Sequence, residues 1–247
     1  AAVPQVHEEG VGEVRLALAA LLLLGDGGLL VGVDGHPLRR LGRLLLGDVG
    51  GVAGQARLRL CWDADALRIL ADIRDPVSPW KNAAKDPTLL FIGGDALDVS
   101  LRPSDDAGGP AREGDFRVVA APRAGASVAL MLREKAPGAQ ARNRRVYSSP
   151  VSTVVFDYAA LSDTVSVSAT PTGDGVRVEM AIPWPEIGLA PAPGAVLRGD
   201  FGLLTSDRAG TETTGRVYRF RAGANLVSDV PSEARLAPET WGRMILE

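Results

Sequence analysis

Short apolar runs separated by turn residues recur along this chain, and few stretches hold a helical period for more than two turns. In Arg57-Leu58-Arg59-Leu60-Cys61 the leucines fall on one side and the arginines on the other, and Val176-Arg177-Val178-Glu179-Met180 repeats the pattern. Successive side chains of a strand point to opposite faces, so a period of two marks a strand with one packed and one wet face. Further runs of strand length lie at 67–73, 96–101, 116–121, 128–132, 151–156, 164–169, 201–205, 216–220 and 243–246, punctuated by 17 prolines and 29 glycines. Many short strands at close spacing predict an all-β fold, an antiparallel β-sandwich of jelly-roll or immunoglobulin-like form with short helical turns.

The N-terminal fifth reads differently. Val14 to Leu24 is apolar apart from Arg15, too short to span a bilayer, and is followed by the turn Gly25-Asp26-Gly27-Gly28 and a second apolar run, Leu29 to Val33. Two apolar runs across a glycine-rich turn predict a hairpin. The glycine-rich stretch Gly47 to Gly54 is the expected boundary. Residues 1–50 are thus expected to form a strand hairpin and linker, either part of the sandwich or the remnant of an upstream domain, with the main sandwich over 51–247.

Composition narrows the function. A net charge of −3 gives no clustered positive surface for nucleic acid, and Arg142, Arg144 and Arg145 read as a solvated loop. The single cysteine, Cys61, excludes an internal disulfide and a cysteine-based zinc site, and its place between Leu60 and Trp62 predicts an inert, buried thiol. The two histidines, His7 and His36, both sit near the N-terminus. No serine-hydrolase elbow, zinc-protease pair or phosphate loop is present, so the chain is not expected to be an enzyme.

Six blocks occur in order from Ala56 onward: Ala56 to Leu67 with its Trp62-Asp63 turn, Ala71-Asp72-Ile73-Arg74-Asp75-Pro76, Gly93-Gly94-Asp95-Ala96-Leu97-Asp98, Val178 to Leu189 with Ile182-Pro183-Trp184, Phe201-Gly202-Leu203-Leu204, and Trp241-Gly242-Arg243-Met244-Ile245-Leu246. In these blocks the chain resembles the family 9 carbohydrate-binding modules, over roughly three quarters of its length. Asp63 and Asp65 are expected to make a hairpin turn. Asp95 is expected in a turn and Asp98 on a wet face.

The resemblance implies a jelly-roll-like sandwich and a non-catalytic extracellular module, secreted or periplasmic, that binds carbohydrate or serves as an accessory domain of a carbohydrate-active or cell-surface protein. Sugar-binding members clamp a ring between two tryptophans, because a pyranose presents C–H faces to aromatic faces. The corresponding positions here hold Ile92, beside Phe91, and Arg235 or Leu236, so Trp80, Phe91 and Arg235 are the candidate ligand-binding residues. Trp62, Trp184 and Trp241 read as packing residues. Acidic loops suggest a structural calcium ion with Asp72, Asp75, Asp105 and Asp106 as candidate ligands. Two alternatives stay open. One is a structural or interaction domain without sugar binding, docking on another domain or subunit. The other, implied by related sandwiches in periplasmic oxidoreductases of the ethylbenzene dehydrogenase type, is a haem b-binding electron-transfer subunit using Met131 or Met180 with Lys81, Lys85 or Lys135.

Overall fold

A computed structural model describes residues 13–18, 42–51, 54–75, 80–221 and 229–247, the first two segments as backbone only. Among the described residues the chain forms strands β1 (Glu13–Leu18), β2 (Gly42–Gly51), β3 (Gly54–Trp62), β4 (Ala66–Arg74) and β5 (Ala96–Arg102). There follow β6 (Phe116–Arg123), β7 (Ala126–Arg133), β8 (Arg145–Ser148), β9 (Thr153–Phe156) and β10 (Tyr158–Leu161). The last are β11 (Ser166–Thr172), β12 (Gly175–Pro183), β13 (Val196–Ser206), β14 (Thr213–Tyr218) and β15 (Gly242–Leu246). Two short helices, α1 (Trp184–Ile187) and α2 (Val230–Ala234), complete the elements that matter for the site.

The strands build an all-β sandwich. One sheet runs β10-β7-β6-β5-β13-β15, with β14 also on β13, and the other runs β2-β3-β4-β12-β11. Both are antiparallel throughout, but β1 pairs in parallel with β15 and antiparallel with β2, so the hydrogen bonding passes from one sheet into the other. Within the stretch Gly47–Gly54, residues up to Gly51 close β2 and Gly54 opens β3, the two strands antiparallel with Gly51 opposite Gly54. The proposed hairpin partner Leu29–Val33, His7, His36 and Pro76–Pro79 lie outside the described residues.

The alternation read from sequence sets the inter-sheet core. Leu58, Leu60, Val178, Met180 and Ile182 point inward, with Leu97, Val99, Phe201 and Leu203 from the facing sheet, while Arg57 and Arg177 stay exposed. Fully burying a side chain of this size contributes about 1.5–3 kcal/mol. Trp62 and Trp184 pack edge to face 6.4 Å apart inside this core, and the Trp184 indole N–H donates to the Asp63 carbonyl at 2.8 Å. Asp63 shapes the β3–β4 turn as expected, accepting the N–H groups of Asp65 and Ala66, both at 2.9 Å. The Ile182-Pro183-Trp184 block breaks from strand into α1, as its prolines dictate. Gly188 stops that turn in the left-handed region at φ 76, its N–H donating to the Trp184 carbonyl.

The first sheet departs from the one-wet-face expectation. All seven residues of β5 are buried, because its second face carries a separate apolar cluster under a cover formed by the β8–β9 hairpin, α2 and the segment 87–92. Tyr147 of β8 ties this cover down: its ring meets Phe91 and Phe156 edge to face, each 5.7 Å away, and its hydroxyl donates to the Thr88 carbonyl at 2.7 Å. Arg142, Arg144 and Arg145 are exposed as expected, although Arg145 opens a strand.

Candidate functional site

Strand β13 is shared by two partners on one edge. β15 pairs with Val196–Gly199 and β14 with Gly202–Ser206, so the two diverge at Asp200 and Phe201. Asp200 fills the fork. Its carboxylate accepts the backbone N–H groups of Phe201 at 2.8 Å and of Phe220 and Arg221 at 2.9 Å, replacing the ladder partners that the divergence removes. Burial pushes its pKa up to about 6 despite these three donors.

Beside the fork, the covered face of the sheet holds charge. Asp98 on β5 is fully buried and accepts from Arg117 on β6, with Nε at 2.9 and 3.0 Å from its two oxygens and Nη2 at 2.5 Å. The Tyr218 hydroxyl donates to the same carboxylate at 2.6 Å. Arg117 Nη1 reaches on to the carbonyls of Glu233 and Ala234 in α2, at 2.7 and 3.1 Å. A second buried pair, Arg216 with Glu233, lies alongside, and Arg216 also donates to the Phe91 carbonyl at 3.1 Å. Burial, reinforced by the neighbouring Asp98 charge, raises the Tyr218 pKa, so its phenol stays protonated and acts as a donor. The Tyr218 ring rests on Gly202, where an added Cβ would sit 2.5 Å from the ring carbons.

A shallow depression, with enclosed room for about one water molecule, opens over this network. Its floor is Ser100, Arg117, Asp200 and Tyr218. Arg221, Arg235, Thr240 and the edge of the buried Trp241 form its rim. The guanidinium of Arg221 stacks 5.9 Å from the Tyr218 ring centre. Polar donors, one phenol and one indole thus converge on a concavity, the arrangement expected of a small-ligand site.

The three predicted ligand-binding residues part company. Arg235 is exposed and lines the depression, with one long hydrogen bond to the Thr153 carbonyl at 3.4 Å. Phe91 is fully buried, so it offers a ligand no surface; it lies beneath the site, its ring 5.3 Å from the Arg117 guanidinium. Trp80 lies outside the depression, half-buried against the inter-sheet core with its indole N–H 3.4 Å from the Ser127 hydroxyl. Trp62, Trp184 and Trp241 are buried.

The four candidate calcium ligands do not gather. Asp72 is held between Arg59 and Arg177 at 2.8 and 2.6 Å, Asp105 binds Arg198 and Arg243, and Asp106 binds Arg112. Asp75 is buried near Asp95 instead. Among the described residues no three His, Cys, Asp or Glu side chains are placed to hold a metal ion. Of the residues named for the haem alternative, Met131 and Met180 are packed in the inter-sheet core, while Lys81, Lys85 and Lys135 are exposed. Cys61, half-buried on β3, has its thiol pushed up to about 11 by burial.

Asp98, expected on a wet face, is instead the centre of the site, and Arg117, Asp200 and Tyr218 escape a sequence reading. Their signal is a polar residue at every second position of strands whose other positions are apolar: Asp98 and Ser100 on β5, Arg117 on β6, Asp200 on β13. That pattern is identical for a solvated face and for a covered charged layer, and only the cover distinguishes them.

No helix among the described residues is long and apolar enough to cross a membrane. No protein-family model matches the chain, and no curated protein matches it. Two solved structures of a family 9 carbohydrate-binding module from Caldicellulosiruptor kristjanssonii are similar in shape, one in complex with glucose and one with cellotriose. Each has a TM-score of 0.54 at 14% identity and covers 96% of this chain, matched over 96% and 94% of the respective module. The chain has the fold of the family 9 carbohydrate-binding modules.

Proposed function

We propose that this protein is a non-catalytic carbohydrate-binding module of an exported protein, and that it receives a sugar at the depression over Asp98, Arg117 and Asp200. The observation that carries this reading is the convergence of Ser100, Arg221, Arg235 and Thr240 beside Tyr218 and Trp241, on a fold whose solved relatives hold glucose and cellotriose. Hydrogen-bonding groups around a concavity suit a ring that carries hydroxyls around its rim. Chemistry at the site is disfavoured, because both carboxylates are committed: Asp98 to Arg117 and Tyr218, Asp200 to three backbone N–H groups. A glycosidase needs one carboxyl group free to give a proton and another free to attack or to activate water.

Calorimetric titration of the purified chain with a panel of plant, algal and bacterial oligosaccharides tests the reading. Binding that weakens at least tenfold on Arg235→Ala is expected. No binding to any glycan would favour the second reading, an interaction domain. That alternative draws support from the burial of Trp241 and from Ile92 and Arg235 standing where clamping tryptophans are expected.

A further inference from the structure

The rim of the depression carries two guanidinium groups, those of Arg221 and Arg235, with most of their N–H donors unclaimed among the described residues. Asp98 receives three contacts from Arg117 nitrogens and one from the Tyr218 hydroxyl, three of the four at Oδ2, and is buried away from any ligand. Asp200 takes three N–H groups. The single Tyr218 proton is spent on Asp98, and the Thr240 hydroxyl donates to the Ala237 carbonyl at 2.8 Å, so each hydroxyl has only its lone pairs left to offer. On the donor side, the Arg221 guanidinium has no carboxylate partner among the described residues and lies over the Tyr218 ring. Arg235 makes one long bond to a carbonyl. Residues 222–228, which follow Arg221, read Ala-Gly-Ala-Asn-Leu-Val-Ser and contain no acidic side chain.

Charge across the site as a whole is balanced, and the positive groups stand at its rim. Arg117 is balanced by Asp98 and Arg216 by Glu233, so the rim arginines stand against Asp200 and, behind Arg235, Glu134. A neutral sugar hydroxyl both gives and takes a hydrogen bond, and sites for it supply acceptors as well as donors. A group with only acceptors and a negative charge suits planar, five-donor guanidinium forks far better.

Resting on the sugar-binding reading above, we infer that the depression selects an acidic sugar, one bearing a carboxylate or sulfate group that docks between the rim arginines Arg221 and Arg235. The sugar ring lies over the mouth, since the floor is closed by the Asp98–Arg117–Tyr218 network and carries the Asp200 carboxylate, and the anionic substituent stays at the rim between the two guanidinium groups.

The test compares, by calorimetry at low and moderate salt, an oligogalacturonate, a sulfated oligosaccharide, a cello-oligosaccharide of matched length, and the oligogalacturonate after reduction of its carboxyl groups. At least tenfold tighter binding of an acidic glycan than of the neutral and carboxyl-reduced ones is expected. That preference should weaken with salt and fall at least tenfold in Arg221→Gln and in Arg235→Gln. Both side chains are at the rim, so unchanged melting temperatures will show that the variants fold. Whether the uronate or the sulfate binds more tightly assigns the substituent. Equal binding of neutral and acidic glycans overturns the inference and leaves the sugar-binding reading standing. Binding of none overturns both.

Discussion

Arg117 meets Asp98 side-on, its Nε 2.9 and 3.0 Å from the two carboxylate oxygens, while Nη1 of the same guanidinium reaches the carbonyl oxygens at the end of α2. One side chain therefore neutralises the buried carboxylate and fastens the cover over the sheet. Breaking a buried pair strands the surviving charge, which costs about 3–5 kcal/mol. Arg117→Ala is expected to lose that much in urea unfolding. Asp98→Leu combined with Arg117→Met should lose clearly less than the sum of the single variants, because neither charge is left alone.

Gly202 gives Tyr218 its seat. With a Cβ there 2.5 Å from two ring carbons, Gly202→Ala must displace the phenol. A loss of about 1–3 kcal/mol in stability is expected, together with weaker glycan binding by titration. Gly173→Ala, where an added Cβ meets nothing within 4 Å, should change stability by less than about 0.5 kcal/mol.

Two buried carboxyl groups give stability a definite pH dependence. Burial raises both Asp95 and Asp200 from 3.8 to about 6 in the folded chain. The folded state thus binds more protons than the unfolded one between these values, so stability rises as pH falls through 6 and is least above it. Between pH 7 and pH 5 each group is expected to add roughly 1 kcal/mol, read from denaturant midpoints at the two pH values. Asp200→Asn should remove about half of the increase.

Trp80 is the control for the site. Its ring covers the edge of the inter-sheet core, so Trp80→Ala should lower stability by about 1–3 kcal/mol and leave glycan affinity within twofold of the parent. A large loss of affinity with an unchanged melting temperature would move the binding surface to the Trp80 loop.

Metal dependence is expected to be absent at the four candidate aspartates. Asp72, Asp105 and Asp106 already have arginine partners at 2.6 to 3.3 Å. Melting temperatures with a chelator and with added calcium should agree within error.

The inter-sheet core was legible because it obeys local rules. Leu58 and Leu60, or Val178 and Met180, alternate with arginine and glutamate, and each strand announces its inward face without reference to any other. The Ile182-Pro183-Trp184 break was legible for the same reason, since proline acts on its own neighbours. The site was not. Asp98 at the middle of β5 looks like any solvent-facing carboxylate until α2, more than 130 residues later, closes over it. Strands β8 and β10 escape the pattern because four residues are too few to show a period, and β8 contributes a single buried side chain, Tyr147. Arg235 was legible only through the resemblance, by its place where a clamping tryptophan was expected.

The lone cysteine turns the second sheet into its own reporter. With its thiol pushed up to about 11, Cys61 is almost wholly protonated at neutral pH, whereas the same group in an opened chain ionises near an ordinary value, with roughly 100 times more thiolate. Alkylation of the unmodified protein should therefore time the excursions that lift β3 away from its neighbours, and a bound glycan that slows the labelling would reveal how far the depression on one sheet steadies the other.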